Sequence, residues 1–298
     1  MEAKNIDTNK KYRLDETDSI SFWDQTLYRI VALKDFADVK AGDKGGYVES
    51  EDNLSQDGNS WVHDRAKVWN AARVSDNAQV LGKAEVYDNA KVYGNAQVGG
   101  TSWVYGNAHV SGNAQVGGKS EVRNNAKVGG ASWVYDNAQV GGNAQVYDRA
   151  HISGYTQITG NAKIKDDAQV FGIAVVSDFA QIYGNAVVFG ESYIFGNAHI
   201  YDNAKVSDNS KIFGNAQVRE YAHTFHDVII SDNAQVYGHS RILDNVQILG
   251  QTQIGGDARI SGHGELNVND TIMEDVVLDF SRVNKESFSP AKVDISAG

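Results

Sequence analysis

The sequence predicts an all-β fold, a single-stranded parallel β-helix in which three six-residue units form one coil. Every sixth residue from Val62 to Leu278 is Val, Ile or Leu, except Thr224. The residue two positions before each of these is usually small, most often Ala. Gly or Asp, often followed by Asn, separates one unit from the next, as in "VYGNAQ". This period runs without an insertion or deletion, which is typical of a solenoid.

Each unit contains a short strand. In Ala66-Lys67-Val68 the first and third side chains point to the same side, because side chains alternate across a strand. The small residue fits a narrow corner of the coil, and the aliphatic residue fills its interior. The middle residue then points outward.

The residues between strands predict corners rather than loops. Gly, Asp and Asn tolerate left-handed backbone angles, so the chain can turn sharply at each of them. The composition agrees, since the chain has 30 glycines and a single proline. Strand and corner therefore alternate to build stacked parallel coils.

Departures from the repeat show how many units form a coil. The series of every eighteenth residue from Ala72 to Ala234 is Ala throughout, whereas the series that begins at Ala66 includes Ser102 and Val228. The corner Asn is also rare in one series of three. Three units therefore make a triangular coil, and the repeat predicts about 12 coils.

The two ends of the chain depart from the period. Residues 1–59 are predicted to form an N-terminal β cap with irregular first coils, and residues 60–266 the regular β-helix. Residues 267–298 are predicted to form a degenerate last coil and a C-terminal cap. Caps are expected because an open strand edge invites aggregation.

The unit resembles the hexapeptide repeat of left-handed parallel β-helices, and the N-terminal segments resemble a narrower family. "KYRL" (11–14), "DFADVKAGDKGGYVES" (35–50) and "LSQDGNSWV" (54–62) are similar to segments of the YdcK-like bacterial proteins, which are described as transferases. The resemblance implies a left-handed coil, but it supplies no catalytic residue that can be transferred to this chain. Hexapeptide transferases are usually trimers with a catalytic histidine in a cleft between subunits.

One outer face of the predicted helix is markedly apolar. Contiguous apolar surface on a soluble monomer is normally limited to a few hundred Å². We therefore expect this face to bind other copies of the chain, as a trimer or a dimer, or a protein partner. The interface residues predicted on it are Trp69, Tyr87, Trp103, Tyr105, Tyr193, Phe195, Phe213 and Ile229.

The segment "REYAHTFHDVII" (219–230) holds the best candidate for chemistry. His226 follows Asp208 and precedes Asp244 by 18 residues each, so the three side chains should stack on successive coils. They could form a general base with its carboxylate partners, or only a surface ladder in which a cation relieves repulsion between two carboxylates. His223 should stay neutral because Lys205 and Arg241 flank it.

No metal site or cofactor is predicted. The chain has 8 histidines and no cysteine, and no two histidines are 18 residues apart, the spacing that would stack them on adjacent coils. The sequence also shows no loop thrown out between 62 and 278 that could hold an acyl donor.

Composition narrows the class of protein. A net charge of −11 makes nucleic-acid binding unlikely and favours solubility. No apolar segment is long enough to span a membrane. We expect a protein of the cytoplasm without membrane contact.

Three functions remain open. The favoured hypothesis is a rigid, oligomeric β-helix scaffold or binding protein without catalytic machinery. The first alternative is an acyltransferase-like enzyme that uses His226 or His109 as base at a subunit interface. The second is an acidic mimic of nucleic acid, built on the many corner aspartates. Whether the chain is an enzyme at all stays open, with the balance against it.

Overall fold

The computed structural model describes residues 10–267, 269–273 and 275–282. The chain divides into two compact units, Met1–Asp148 and Arg149–Gly298. Short parallel strands dominate each unit, and a 3-10 helix at Glu51–Asn53 is the single helix in the described part of the chain. No helix within the described ranges is long and apolar enough to cross a membrane.

The first unit begins with antiparallel strands that lead into the coils. Strand β1 (Tyr12–Phe22) pairs with β2 (Gln25–Ala32), and β2 pairs with β3 (Lys44–Val48). Strand β3 then runs parallel to Lys67–Val68, the first regular strand of its sheet. The hairpin of β1 and β2 thus covers the start of that sheet, as expected for an N-terminal β cap.

Two-residue strands form the rest of the first unit, arranged in three sheets of parallel strands 18 residues apart. Sheet A continues β3 with Lys67–Val68, Glu85–Val86, Trp103–Val104, Glu121–Val122 and Gln139–Val140. Sheet B contains Trp61–Val62, Gln79–Val80, Gln97–Val98, Gln115–Val116 and Trp133–Val134. Sheet C contains Arg73–Val74, Lys91–Val92, His109–Val110, Lys127–Val128 and Gln145–Val146.

The second unit repeats this arrangement, and its sheets take the letters of the same phase in the 18-residue period. Sheet A contains Gln157–Ile158, Val175–Val176, Tyr193–Ile194, Lys211–Ile212, Ile229–Ile230, Gln247–Ile248 and Glu265–Leu266. Sheet B contains His151–Ile152, Gln169–Val170, Val187–Val188, Lys205–Val206, His223–Thr224, Arg241–Ile242, Arg259–Ser261 and Val277–Asp279. Sheet C contains Lys163–Ile164, Gln181–Ile182, His199–Ile200, Gln217–Val218, Gln235–Val236, Gln253–Ile254 and Thr271–Ile272.

The core of each unit is the column of small and aliphatic side chains. Ala90 and Val92 in the first unit, and Ala204 and Val206 in the second, are fully buried. The backbone carries the stacking: the Lys91 N–H donates to the Ala108 carbonyl over 2.9 Å, and the Tyr93 N–H to the Val110 carbonyl over 3.0 Å. Each coil is therefore held to the next through its strands.

The corners have the predicted left-handed conformation. Asp76 has φ +58° and Gly94, at the same corner one coil later, has φ +71°. A Cβ on Gly94 would lie 2.9 Å from the Gly112 nitrogen, so this corner requires glycine for space as well as for φ. Corner asparagines add a ladder of amides, in which Asn77 Nδ2 donates to Asn95 Oδ1 and Asn95 Nδ2 to Asn113 Oδ1, both over 3.0 Å.

These features confirm the predicted fold class, an all-β parallel β-helix with three short strands per coil, and they match the arrangement expected of the left-handed hexapeptide type. The limits drawn at 1–59, 60–266 and 267–298 stay a prediction. Much of the proposed C-terminal cap, residues 283–298, lies outside the described residues.

Candidate functional site

Corner aspartates have a repeated structural role. Each uses its Oδ2 to accept a hydrogen bond from the backbone N–H of the residue 18 positions later, at the same corner of the next coil. The Asp76 carboxylate accepts from Gly94 over 2.9 Å, and Asp178 from Gly196 over 3.0 Å. The same contact is made by Asp64, Asp88, Asp166, Asp202, Asp208, Asp232 and Asp244. These carboxylates tie neighbouring corners together.

The three residues predicted as a catalytic group do lie together, but within this ladder. His226 occupies the corner with φ +64°, and its backbone N–H donates to Asp208 Oδ2 over 3.1 Å. Its Nδ1 lies 3.2 Å from Asp244 Oδ1, while Asp244 Oδ2 accepts from the Gly262 N–H over 3.0 Å. Asp208 therefore contacts the backbone of His226 and not its imidazole. The geometry matches the surface-ladder hypothesis more closely than a base oriented by two carboxylates.

The imidazole of His226 stands on an open surface. Its side chain is 57% exposed and that of Asp244 is 44% exposed. A groove of about 460 Å³ lies nearby on sheet A, and its lining includes Asp227 and Ile229 but not His226. A catalytic assignment to His226, Asp208 and Asp244 stays a prediction.

His223 behaves as its neighbours predict. It lies on sheet B between Lys205 and Arg241. Burial lowers the pKa of His223, and Lys205, Arg241 and His239 lower it further. The imidazole is therefore neutral near pH 7, and its ring packs edge-on against Phe225 at 5.6 Å between centroids.

Thr224 differs from what the sequence suggests. Its near-isosteric fit in place of Val holds, because the side chain is fully buried at an aliphatic position. A local hydrogen bond was expected to satisfy the hydroxyl. Instead, Oγ1 has no hydrogen-bond partner among the described residues. The small positions offer Ser102 a solution that Thr224 lacks: its hydroxyl donates to the Gly99 carbonyl over 2.8 Å.

The other candidate base, His109, lies in a polar groove of the first unit. This groove of about 640 Å³ is lined by Arg73, Lys91, Tyr93 and His109, with Glu51 and Asp52 among the residues on its rim. Burial lowers the pKa of His109, and Lys91 and Lys127 lower it further. A neutral imidazole beside two cations is suited to accept a proton near a bound anion. The sequence placed His109 on the polar face but gave no sign of the groove, which forms only because residues 51–56 fold over sheet C.

The predicted interface residues of the first unit form a stacked aromatic ladder. The rings of Trp69 and Tyr87 stack at 4.6 Å between centroids, and those of Tyr87 and Tyr105 at 4.9 Å. Trp69 is only 5% exposed, because β1 and β2 cover it with Phe22 and Leu27. The expectation that Trp69 lies on an open interface is thus corrected: it packs inside its own unit.

The predicted interface residues of the second unit are more accessible. Tyr193 is 44% exposed, and it pairs across the sheet with Val175. Phe195 and Phe213 are half-buried and stack at 4.7 Å between centroids. Ile229 is also half-buried and lines the groove of about 460 Å³ with Tyr193. Trp103 of the first unit is likewise 44% exposed.

Metal binding finds no support in the described ranges. No group of three or more His, Asp or Glu side chains is placed there so as to hold a metal ion.

Comparisons with known proteins agree with the solenoid. A family model described as "YdcK Beta solenoid repeat" matches residues 180–193. The chain is 35% identical over 66 residues to a protein of Escherichia coli (strain K12) named "Uncharacterized acetyltransferase YdcK". That alignment covers 20% of this chain, which spans 20% of the length of that relative. The chain therefore carries a YdcK-type β-solenoid repeat and has a local similarity to a YdcK protein.

Proposed function

We propose that the protein is a β-solenoid scaffold that associates with further copies of itself through an apolar patch on the second unit. The patch consists of Ile173, Val175, Tyr193, Phe195, Phe213 and Ile229. It lies on sheet A and on the corner that leads into it. The observation that carries the proposal is this row of outward apolar side chains on successive coils.

The exposed members of the patch are large. Ile173 is 45% exposed and Tyr193 is 44% exposed, and they sit one coil apart. Stacking within the chain accounts for Phe195 and Phe213 only in part, since each remains half-buried. Burying such surface against a partner is favourable by about 25 cal/mol per Å² of apolar area.

A second copy of the chain is the partner that the shape favours. The sheet faces of the second unit are regular, because corners rather than loops join the strands throughout its described part. A regular apolar face can be self-complementary, as the two-fold interface of a dimer requires. A trimer, usual among hexapeptide transferases, would use the same face.

Sedimentation velocity on designed variants tests this proposal. Tyr193→Glu combined with Ile173→Glu places two charges in the patch and should dissociate the oligomer. Trp133→Glu is the matched control, since Trp133 is also 44% exposed but lies on sheet B of the first unit. Equal sedimentation of wild type and patch variant, with both as monomers, would contradict the proposal.

Acyl transfer is the second candidate, favoured by the polar groove around His109. The similar protein of Escherichia coli is named an acetyltransferase. Arg73 and Lys91 could hold the phosphates of an acyl carrier, and the neutral His109 could take a proton from an acceptor that attacks the acyl group. Binding of acetyl-coenzyme A that is weakened by Lys91→Gln, with turnover lost in His109→Gln, would support this candidate. Absence of binding at millimolar concentration would exclude it.

A further inference from the structure

A second cavity of the first unit, the aromatic cleft, has no part in either function above. It has a volume of about 420 Å³ and is open to solvent. Its lining consists of Trp23, Trp69, Asn70, Glu85, Tyr87, Asp88 and Trp103. The volume falls within the range of roughly 300–1,000 Å³ that small-molecule sites occupy.

Trp23 forms the outer wall of the cleft from an unusual position. It is in the two-residue turn between β1 and β2, with φ +52°, and 82% of its surface is exposed. Such turns normally use Gly, Asn or Asp, because a bulky side chain disfavours positive φ. Neither the turn nor the core therefore explains a tryptophan at this point.

Trp103 forms the opposite wall. It lies on sheet A between Glu85 and Glu121, the residues that pair with it on the adjacent coils, and it is 44% exposed. The floor between the two indoles is Trp69 and Tyr87, whose stacked rings are held by Phe22 below and Tyr105 above. Two exposed indoles thus face a base that is already fixed by packing.

The charge of the cleft is negative. None of its seven lining residues is a lysine or arginine, whereas Glu85 and Asp88 bring two carboxylates. Lys67 pairs with Glu85 over 2.8 Å, but its Nζ lies over the Phe22 ring and does not line the cleft. Burial, followed by Tyr105, Asp88 and Glu85, raises the pKa of Tyr87, so its phenol adds no further charge at neutral pH.

We propose that the aromatic cleft binds a small organic cation of the alkylated ammonium class. Indole faces attract such cations through the ring quadrupole, most strongly where water is partly excluded. The two carboxylates attract the same charge and repel anions such as phosphate esters. Trp23 and Trp103 clasp the alkyl groups, and Asp88 supplies charge at the edge.

Calorimetric titration of the full-length protein with choline tests the proposal. The matched ligand is 3,3-dimethylbutanol, which has the shape of choline without the charge. We expect choline to bind at least about tenfold more tightly than this alcohol, because only the cation gains from the ring quadrupole and the carboxylates. Glucose, the third probe, should not bind, and indole N–H signals in NMR spectra should report the contact at tryptophan.

Variants locate the site. Trp23→Ala should weaken choline binding about tenfold without affecting the fold, since the side chain is in a surface turn. Asp88→Asn keeps a residue that tolerates the corner φ and removes only the charge, so it should weaken binding severalfold. Trp133→Leu, of equal exposure to Trp103 but on sheet B, should leave binding unchanged.

Several results would overturn the proposal. These are equal binding of choline and its neutral analogue, binding of glucose alone, no binding of choline at 10 mM, and an equal loss of choline affinity in Trp133→Leu and Trp23→Ala. Circular dichroism confirms that each variant is folded. If Trp23→Ala is folded and binds choline as the wild type does, the cleft is not the site.

Discussion

The carboxylate of Asp208 accepts a hydrogen bond from the backbone N–H of His226, which lies 18 residues further along at the same corner, over 3.1 Å. The identical contact joins Asp76 to Gly94 and Asp232 to Gly250. The constellation that most resembles a catalytic group is therefore a corner of the coil in which His occupies a position normally held by Gly or Asp.

Replacing His226 tests this structural role. His226→Gly should give a higher free energy of unfolding than His226→Ala by about 1 kcal/mol, because glycine adopts positive φ without steric cost. Both variants lose the Asp244 contact and both keep the N–H that Asp208 binds. Urea denaturation measures the difference. An Ala variant as stable as the Gly variant would show that the corner conformation does not limit stability.

Thr224→Val should stabilise the second unit by about 1–3 kcal/mol. The hydroxyl is buried and has no partner among the described residues, so the substitution removes a desolvation cost and keeps the shape. Val206→Thr, at the paired position one coil earlier, is the reverse control and should destabilise the unit. Thermal denaturation of the two variants decides this. A lower midpoint for Thr224→Val would mean that its hydroxyl is satisfied, for example by water.

Two adjacent glycines should respond differently to alanine. At Gly100, with φ +69°, a Cβ would lie 2.6 Å from the Gly118 carbonyl oxygen, so Gly100→Ala should cost about 2 kcal/mol or more. At Gly99 the nearest atom would be 3.8 Å away, in ordinary contact, so Gly99→Ala should cost less than about 1 kcal/mol. Denaturation midpoints of the two variants test the corner geometry. Similar midpoints would contradict it.

The stability of the protein should fall as the pH falls below the ordinary histidine pKa of 6.5. The pKa of His109 is lowered in the fold by burial, Lys91 and Lys127, so the unfolded chain binds the proton more readily. His109→Gln should make the loss of stability with falling pH shallower. Lys91→Gln should raise the pKa of His109, as measured by NMR titration. An unchanged titration in Lys91→Gln would rule out that charge as a cause.

Periodicity alone predicted the coils, because a six-residue repeat fixes which side chains point inward and where the chain turns. It also predicted that residues 18 apart stack, and so that His226 would meet Asp244. It did not reveal that Asp208 binds backbone, since the pattern of residue types cannot distinguish a side-chain from a main-chain partner.

The features missed by the sequence come from segments outside the repeat. Trp69 carries the periodic mark of an outward residue, yet β1 and β2 fold back over it. The groove at His109 and the cleft at Trp23 arise in the same way, from contacts between the irregular N-terminal segments and regular sheets. Such contacts join residues far apart in sequence, and no local pattern encodes them.

Native mass spectrometry of the full-length protein tests the central claim most directly, because it reports both assembly and bound ligand. A self-associating scaffold predicts a mass of two or three times the 32.4 kDa chain, with no acyl carrier attached, and loss of that assembly in the variant carrying Tyr193→Glu and Ile173→Glu. A mass of one chain at tens of micromolar would contradict the account.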